Sequence, residues 1–269
     1  MDLSKNSYKK IKVSIITPTF NSSKYIKSTI DSVLAQTHEN WEWLLTDDCS
    51  TDNTIDILRD YIACDDRIKF FQLQENSGPG IARNNSIYAA SGDVIAFLDA
   101  DDLWDSDFLE KSLRFMEEYK APIVFSSYRR YSEELNEDFG AFIVPEKTNY
   151  DDMLKSCAIS CLTGMYNIER CNGKAFMPDI RKRQDYCLWL TLLKRVDYAY
   201  GIKDVMATYR IRKGSVSRNK FKTAMYQWYV YREVEKLSLV KSCYFFINYA
   251  LKGVMKNYST ILNKSIFVK

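Results

Sequence analysis

Two aspartates separated by a single residue, Asp99 and Asp101, follow the apolar run "VIAFL". Because side chains alternate along an extended chain, the two carboxylates point to one side while Ala100 points to the other. Several carboxylates at one site raise each other's pKa unless a cation compensates them, and oxygen ligands suit Mg²⁺ or Mn²⁺. The pair therefore predicts a metal-bridged diphosphate. The alternative is that both aspartates only end a strand and cap the next helix.

Asp185 stands at the start of the helical pattern "QDYCLWLTLL". Leu188 and Trp189 follow it by three and four residues, so Asp185 shares their apolar stripe. A carboxylate at the rim of a core can act as a general base. The alternative is a solvated charge that interacts favourably with the positive end of the helix dipole.

A second acidic strand end and a glycine-containing loop add to the possible site. Asp47 and Asp48 end the run "WEWLLT", where one carboxylate could accept hydrogen bonds from a base or a ribose, or cap the following helix. In "GPGIARNN", Gly80 permits close backbone approach and Arg83 could reach a phosphate. The loop lacks the full G-x-G-x-x-G pattern, so it does not indicate a dinucleotide-binding site.

Four short apolar runs must position these residues. They begin at residues 12, 41, 68 and 94, at separations of 29, 27 and 26 residues, with helical patterns between them. This alternation predicts an α/β fold with a doubly wound, mostly parallel sheet. Ligands of such sheets bind beyond the carboxyl ends of the strands. Three of the four runs are followed there by carboxylates.

The pattern changes twice along the chain, which predicts three parts. These are residues 1–105, residues 106–218 and a helical tail, 219–269. From residue 220 onward the tail has nine basic residues, two acidic ones and many aromatics. This composition suits helices at an anionic membrane surface. Packing on the protein's own core is the alternative.

Composition excludes several other classes of protein. Seven cysteines at irregular spacing indicate reduced thiols in a cytoplasmic protein, and a single histidine, His38, argues against structural zinc. A net charge of +3 without a recognisable aromatic and basic motif indicates no nucleic-acid partner. The sequence has no signal peptide and no apolar run long enough to span a bilayer, so we expect a soluble or peripheral protein.

Taken together, five segments resemble the family 2 inverting glycosyltransferases with a GT-A fold. These segments are "VSIITPTFN", "LLTDDCSTDNT", "NSGPGIARN", "GDVIAFLDADDLW" and "RQDYCLWLTLLK", and the resemblance covers about residues 12–217. It implies a metal-dependent hexosyl-type transferase with a nucleotide-sugar donor, most often a UDP-sugar, and Mn²⁺ or Mg²⁺ as cofactor. It also implies a single displacement in which a carboxylate deprotonates the acceptor hydroxyl. Residues 1–105 would then form a Rossmann-like nucleotide-sugar-binding half, and residues 106–218 the acceptor-binding half with the catalytic base.

The resemblance also assigns roles to individual residues. Asp48 would contact the base, Asp99 and Asp101 would form the D-x-D pair with Asp101 as the more direct metal ligand, and Asp185 would be the catalytic base. Gln184 stands where the family usually has Glu. The remaining residues expected at the donor are Thr17, Pro18, Phe20, Asn21, Gly80, Arg83 and Ala100.

The segment "RIRKGSVSRN" resembles one that closes over the donor in relatives. Arg210, Arg212, Ser215 and Ser217 are therefore candidates for contact with the diphosphate. The alternative is an ordinary basic loop. The residues expected on the acceptor side are Asp102, Trp104 and Gln184.

The tail resembles those of bacterial glycosyltransferases that build surface polysaccharides such as O-antigen, capsule or teichuronic acid. It implies an undecaprenyl-diphosphate-linked saccharide as acceptor, presented at the inner face of the cell membrane. Two other functions remain possible from the residues alone. One is a phosphotransferase with Asp99 as nucleophile, and the other is a non-catalytic, membrane-associated saccharide-binding module.

Overall fold

The computed structural model describes residues 3–212 and 220–266, with side chains described for residues 7–212 and 223–253. Within them the strands are β1 Val13–Thr19, β2 Trp41–Asp47, β3 Ile68–Gln72, β4 Val94–Phe97, β5 Leu103–Trp104, β6 Ile123–Ser132, β7 Glu137–Phe142, β8 Lys147–Thr148, β9 Met165–Asn167 and β10 Ala199–Arg210. The helices are α1 Ile26–Leu34, α2 Thr54–Ile62, α3 Pro79–Ala89, α4 Phe108–Glu118, α5 Tyr150–Lys155, α6 Gln184–Leu193, α7 Lys220–Tyr229 and α8 Leu239–Ile266. A 3₁₀ helix, Leu3–Lys10, precedes β1, and a π-helical segment, Val230–Val234, separates α7 from α8.

One continuous sheet runs through the domain in the order β3-β2-β1-β4-β9-β6-β10-β5, with β7 beside β6 and β8 beside β10. The first four strands are parallel, as their alternation with helices predicts. β9 is antiparallel to both β4 and β6, so it joins the parallel part to the later strands. The predicted α/β fold is confirmed, and its second half makes the sheet mixed.

Helices and loops cover both faces of the sheet, which explains the near-continuous apolar strands. Every residue of β2 and β4 is buried. One core lies on the α6 side of the sheet around Phe97 and Trp189, and the other lies on the opposite side around Trp43 and Phe108. All seven cysteines are free in the structure.

The C-terminal helices pack on the domain along one side. Val230 and Tyr231 are fully buried in the core that contains Trp189, and the Tyr231 hydroxyl donates to the carbonyl oxygen of Leu154. The inner side of the tail is therefore part of the folded domain. No helix in the part of the chain that the structure describes is long and apolar enough to cross a membrane.

The register of the parallel strands brings their carboxyl ends to one edge. Thr19, the last residue of β1, lies opposite Asp47, the last residue of β2. Ile16 of β1 lies opposite Phe97, the last residue of β4. The polar segments that follow these three strands therefore emerge close together.

Glu42 is a charge buried on β2 and balanced by several donors. Its carboxylate accepts hydrogen bonds from Lys69 Nζ at 2.8 Å, Ser14 Oγ at 2.7 Å and the Ser91 backbone N–H at 2.6 Å. Burial alone would raise the pKa of Glu42, but these hydrogen bonds outweigh burial and lower the pKa to about 2. Stability from this group is therefore fully present above the ordinary pKa of 4.5 and is lost as the pH falls toward 2.

We expect Glu42→Gln to lower the free energy of unfolding at pH 7 by about 2 kcal/mol, because it removes this favourable ionisation. The difference from wild type should shrink as the pH falls from 5 to 2. Urea denaturation at a series of pH values measures both effects. Glu39→Gln, at an exposed position, is the matched control and should follow the wild-type curve. A difference for Glu42→Gln that is the same at all pH values would contradict the expectation.

Candidate active site

A cleft of about 880 Å³ lies at the edge where β1, β2 and β4 end. It is bounded on one side by the segments after these strands, including Asp48, Asp99 and Asp101, and on the other by the start of α6 with Asp185. The cleft occupies the position expected for a ligand in an open α/β sheet. It is also the place where the predicted donor and base residues meet.

The chain turns sharply after β4 and exposes two carboxylates to the cleft. The backbone N–H of Asp102 donates to the carbonyl oxygen of Asp99 at 3.1 Å, which closes the turn. Asp99 forms an ion pair with the buried guanidinium of Arg83. Asp101 pairs with Arg212 at 2.7 Å. Each aspartate of the D-x-D pair thus has an arginine partner of its own.

Burial and neighbouring charges shift the pKa values of several groups at this turn. Burial, followed by the charge of Asp99, raises the pKa of Asp101 above its ordinary value. Burial alone would lower the pKa of Arg83, but the adjacent Asp99 carboxylate outweighs it and raises that pKa. The Nε and Nη1 atoms of Arg83 are buried without a hydrogen-bond partner among the described residues. Arg83 is therefore held by charge more than by directed hydrogen bonds.

Asp185 lies in the first turn of α6 and is partly exposed to the cleft. Its carboxylate has no hydrogen bond or ion pair with any residue that the structure describes, so it is free to accept a proton from a ligand. Gln184 also lines the cleft but is only 8% exposed. A Cβ atom at Gly80 would lie 3.2 Å from Gln184 Cγ, so the glycine permits α3 and α6 to approach closely.

Asp48 organises the loop that precedes α3. Its carboxylate accepts hydrogen bonds from the backbone N–H groups of Ser77 at 2.6 Å and Gly78 at 2.8 Å. Gly78 has φ of 91°, a conformation that favours glycine. Asp48 also lines the cleft, together with Pro18 and Phe20, and the Phe20 side chain is 48% exposed. An open aromatic ring here is well placed to contact a flat ligand group.

Two further residues predicted at the donor do not line the cleft. Thr17 is fully buried, accepts a hydrogen bond from Trp43 Nε1 at 2.8 Å and donates to the Leu98 carbonyl oxygen at 2.7 Å. Asn21 accepts a hydrogen bond from the backbone N–H of Thr51 at 2.8 Å. Both shape the loops around the cleft without lining it.

Asp102 and Trp104, expected on the acceptor side, are buried inside the protein. Asp102 is 1% exposed and accepts a hydrogen bond from the backbone N–H of Arg210 at 2.8 Å. Trp104 is 4% exposed, donates to the Leu162 carbonyl oxygen at 2.7 Å and stacks on Phe108. The chain turns inward after Asp101 to pair β5 with β10, and this turn carries both side chains away from the cleft.

The two arginines of the "RIR" segment differ in their surroundings. Arg212 lines the cleft and is 41% exposed in its side chain. Arg210 is buried and bonds Glu133 at 2.7 Å and the Asp101 carbonyl oxygen at 3.0 Å, so it supports the turn from behind. Ser215 and Ser217 lie outside the described residues.

Sequence reasoning missed a group of residues on the α6 side of the cleft. The basic run that precedes Gln184 and two residues of α7 all line it. The run "RKR" directly before the predicted base was a usable signal, but nothing in its spacing showed which way it faced. These additional residues are Arg181, Lys182, Arg183, Thr223 and Tyr226.

Within the described part of the chain, no group of three or more His, Cys, Asp or Glu residues is arranged to hold a metal ion. Asp99 and Asp101 would provide carboxylate oxygens as ligands from two residues. That number suits a Mg²⁺ or Mn²⁺ ion that takes its other ligands from phosphate and water. The donor set is thus compatible with a shared metal and diphosphate site, and it does not form a complete protein cage.

We expect Trp104→Phe to lower the free energy of unfolding by roughly 1–3 kcal/mol, because it leaves a cavity and removes the bond to Leu162. The variant should keep the wild-type KM for acceptor, since the side chain does not reach the cleft. Thermal denaturation and steady-state kinetics test the two expectations separately. A raised KM for the acceptor at unchanged stability would contradict this expectation and indicate that Trp104 contacts the acceptor.

Comparisons with known proteins agree with this geometry. The glycosyl transferase family 2 model matches residues 14–166. The putative teichuronic acid biosynthesis glycosyltransferase TuaG of Bacillus subtilis is 45% identical, over 91% of this chain and 96% of TuaG. The UDP-Glc:alpha-D-GlcNAc-diphosphoundecaprenol beta-1,3-glucosyltransferase WfgD of Escherichia coli is 36% identical, over 91% of this chain and 94% of WfgD.

Two solved structures share the fold. A crystal structure of S. aureus TarS in complex with UDP-GlcNAc has a TM-score of 0.68 at 19% identity, covering 89% of this chain and 72% of that one. The mannosyltransferase PcManGT of Pyrobaculum calidifontis, in complex with GDP-Man and Mn²⁺, has a TM-score of 0.65 at 15% identity, covering 84% and 64%. The family model covers more than half of the chain, and the chain therefore belongs to glycosyl transferase family 2 and is a glycosyltransferase with a GT-A fold.

Proposed function

We propose that the protein transfers a sugar, with inversion, from a UDP-sugar to a hydroxyl of an undecaprenyl-diphosphate-linked saccharide. The observation that carries this proposal is that Asp185, a carboxylate without a partner among the described residues, shares one cleft with Asp99 and Asp101. One side of the cleft can then hold the diphosphate while the other activates the acceptor. The name of WfgD describes a reaction of this type for a relative.

The cleft suits a nucleoside diphosphate. Arg212 beside Asp101, and Arg181 and Lys182 on the α6 side, line the cleft and provide positive charge for phosphate oxygens. Phe20 offers an exposed ring, and Asp48 offers carboxylate oxygens beside it. These groups match the needs of a base and a diphosphate. The UDP-GlcNAc complex of TarS, which shares the fold, supports a UDP-sugar as the donor class.

Asp99 and Asp101 would hold the divalent cation, Mn²⁺ or Mg²⁺, with Asp101 as the more direct ligand. The raised pKa of Asp101 reflects burial and the charge of Asp99, and a cation would relieve both. When bound, the ion would neutralise charge on the departing diphosphate. The Mn²⁺ in the PcManGT complex supports the same class of cofactor.

Asp185 would act as the general base. It removes the proton of the acceptor hydroxyl, whose oxygen then attacks the anomeric carbon as the bond to the diphosphate breaks. A single attack from the face opposite the leaving group inverts the configuration. Arg212, Arg181 and Lys182 stabilise the diphosphate as it leaves. Gln184 is uncharged, so the residue directly before Asp185 adds no further carboxylate to the cleft.

Asp101→Asn and Asp185→Asn separate the two halves of this mechanism. We expect Asp101→Asn to abolish Mn²⁺-dependent binding of UDP, measured by calorimetry, together with transfer. Asp185→Asn should bind UDP like the wild type and lose transfer by roughly 10²- to 10⁴-fold. Asp107→Asn is the matched control and should behave as wild type, because it removes a partly exposed carboxylate directly before α4 that pairs with Lys111.

The donor for these assays is selected by screening UDP-sugars for Mn²⁺-dependent hydrolysis. Transfer retained by Asp185→Asn would contradict the assignment of the base. UDP binding without hydrolysis or transfer of any sugar would favour a non-catalytic saccharide-binding module.

The acceptor proposal places the enzyme at the cytoplasmic face of the membrane, and α8 has the surface for it. Val240, Tyr244, Ile247 and Leu251 are 80%, 54%, 58% and 58% exposed. Their spacing of four, three and four residues puts them on one face of the helix. Lys241 and Lys252 are exposed on the same helix. An apolar stripe with lysines on the same helix suits an anionic bilayer.

Replacing Val240 and Ile247 together by Glu should reduce binding to phosphatidylglycerol vesicles roughly tenfold or more, because it puts charge into the apolar stripe. Leu135→Glu with Ile143→Glu is the matched control, since both residues are exposed and apolar on another surface. Co-sedimentation with phosphatidylglycerol and phosphatidylcholine vesicles measures the effect. The proposal would be contradicted if both double variants lost vesicle binding equally. It would also be contradicted if the wild type bound phosphatidylglycerol and phosphatidylcholine vesicles equally well. Truncation is a poorer test because it removes the buried Tyr231.

A further inference from the structure

The Asp185 carboxylate makes no hydrogen bond or ion pair with any described residue. Its position therefore depends on the backbone at the start of α6 and on the residues beside it in the chain. Arg183 precedes it by two positions and Tyr186 follows it directly. Both neighbours are held by residues of the C-terminal helices. The first turn of α6 is thus held on either side of the predicted base.

Arg183 is fixed by both its backbone and its side chain. It has φ of 65° and ψ of 14°, a left-handed conformation that is unfavourable for a residue other than glycine. Its carbonyl oxygen accepts the hydrogen bond of the Cys187 backbone N–H at 3.0 Å, so this conformation begins the helix. Its guanidinium donates to the Tyr249 hydroxyl at 2.5 Å and lies 5.5 Å from the rings of both Tyr249 and Tyr186.

Tyr186 is fixed by a second set of contacts. Gln227 of α7 donates through Nε2 to the Tyr186 hydroxyl at 3.0 Å, and that hydroxyl donates to the Met153 carbonyl oxygen at 3.0 Å. The side chain is 1% exposed. Its position is therefore determined by packing and by two hydrogen bonds, and the Arg183 guanidinium lies over its ring.

We propose that Arg183 is a positioning residue for Asp185 and that Tyr249 of α8 holds Arg183 in that role. The inference rests on the proposed function of Asp185 as base. The left-handed conformation of Arg183 directs the start of α6 into the cleft, and the interaction with Tyr249 offsets its cost. The helix that carries the exposed apolar stripe thereby also sets the geometry of the base.

Tyr249→Phe removes a single oxygen atom and so tests whether Tyr249 holds Arg183 in position. It removes the hydrogen bond to Arg183 and leaves the ring in place. We expect kcat for transfer to fall roughly fivefold, while the KM for the donor and the dissociation constant of UDP with Mn²⁺ stay within about twofold of wild type. Tyr119→Phe, at an exposed tyrosine stacked on Phe115, is the matched control and should leave kcat unchanged.

Arg183→Gly tests the positioning residue itself. Glycine adopts the left-handed conformation without strain, which compensates for lost contacts, so the melting temperature should change little. We expect kcat to fall roughly 10- to 100-fold with unchanged UDP binding. Arg183→Lys keeps the charge and one donor for Tyr249, and it should retain more activity than glycine. A role confined to folding would lower the melting temperature and the fraction of protein that binds UDP.

The outcomes separate this inference from the proposed function. The positioning role would be overturned if Tyr249→Phe and Arg183→Gly both kept the wild-type kcat. If Asp185→Asn were inactive in the same assays, the assignment of Asp185 as base would stand. A raised donor KM at unchanged kcat would make Arg183 a donor ligand and also overturn it. Activity in Asp185→Asn would overturn both. If Arg183→Gly fails to fold, Tyr249→Phe decides alone.

Discussion

The carboxylates at the end of β4 impose the main constraint on this structure, because negative charge gathered at a buried strand end must be balanced by cations. Asp99 is balanced by Arg83 from α3, and Asp101 by Arg212, which follows β10. The turn between them is short and is closed by the hydrogen bond from the Asp102 N–H to the Asp99 carbonyl oxygen. Its charges therefore fix where α3 and the end of β10 can lie, and with them the walls of the cleft.

Arg210 extends this constraint to the second half of the sheet. Its backbone N–H donates to Asp102, and its guanidinium donates to the Asp101 carbonyl oxygen and to Ser28 Oγ at 2.8 Å. One buried arginine thus ties the last strand to the turn after β4 and to α1. The Asp102 carboxylate is buried and accepts the hydrogen bond from Arg210, so it does not face the cleft. Burial, reinforced by Asp101 and Asp99, raises the pKa of Asp102 well above its ordinary value, and the side chain serves the fold.

The C-terminal helices have two different faces. Their inner face, with Val230 and Tyr231, completes the core and supplies Gln227 and Tyr249 to the start of α6. Their outer face leaves an apolar stripe on α8 exposed. The two alternatives derived from composition, core packing and membrane contact, therefore concern opposite sides of the same segment. Packing on one side is observed, and the proposed lipid contact uses the other.

The sequence by itself determined the family, the parallel first half of the sheet, and the strand ends at which Asp48, Asp99 and Asp101 would appear. These follow from local periodicity and from motif order, which depend on residues close in the chain. Only the tertiary structure decided that Thr17, Asp102 and Trp104 point inward and that Arg210 and Arg212 have different roles. It also decided that Arg183 meets Tyr249. Those outcomes depend on pairings between segments far apart in sequence, such as β5 with β10 and α6 with α8, and local patterns do not encode them.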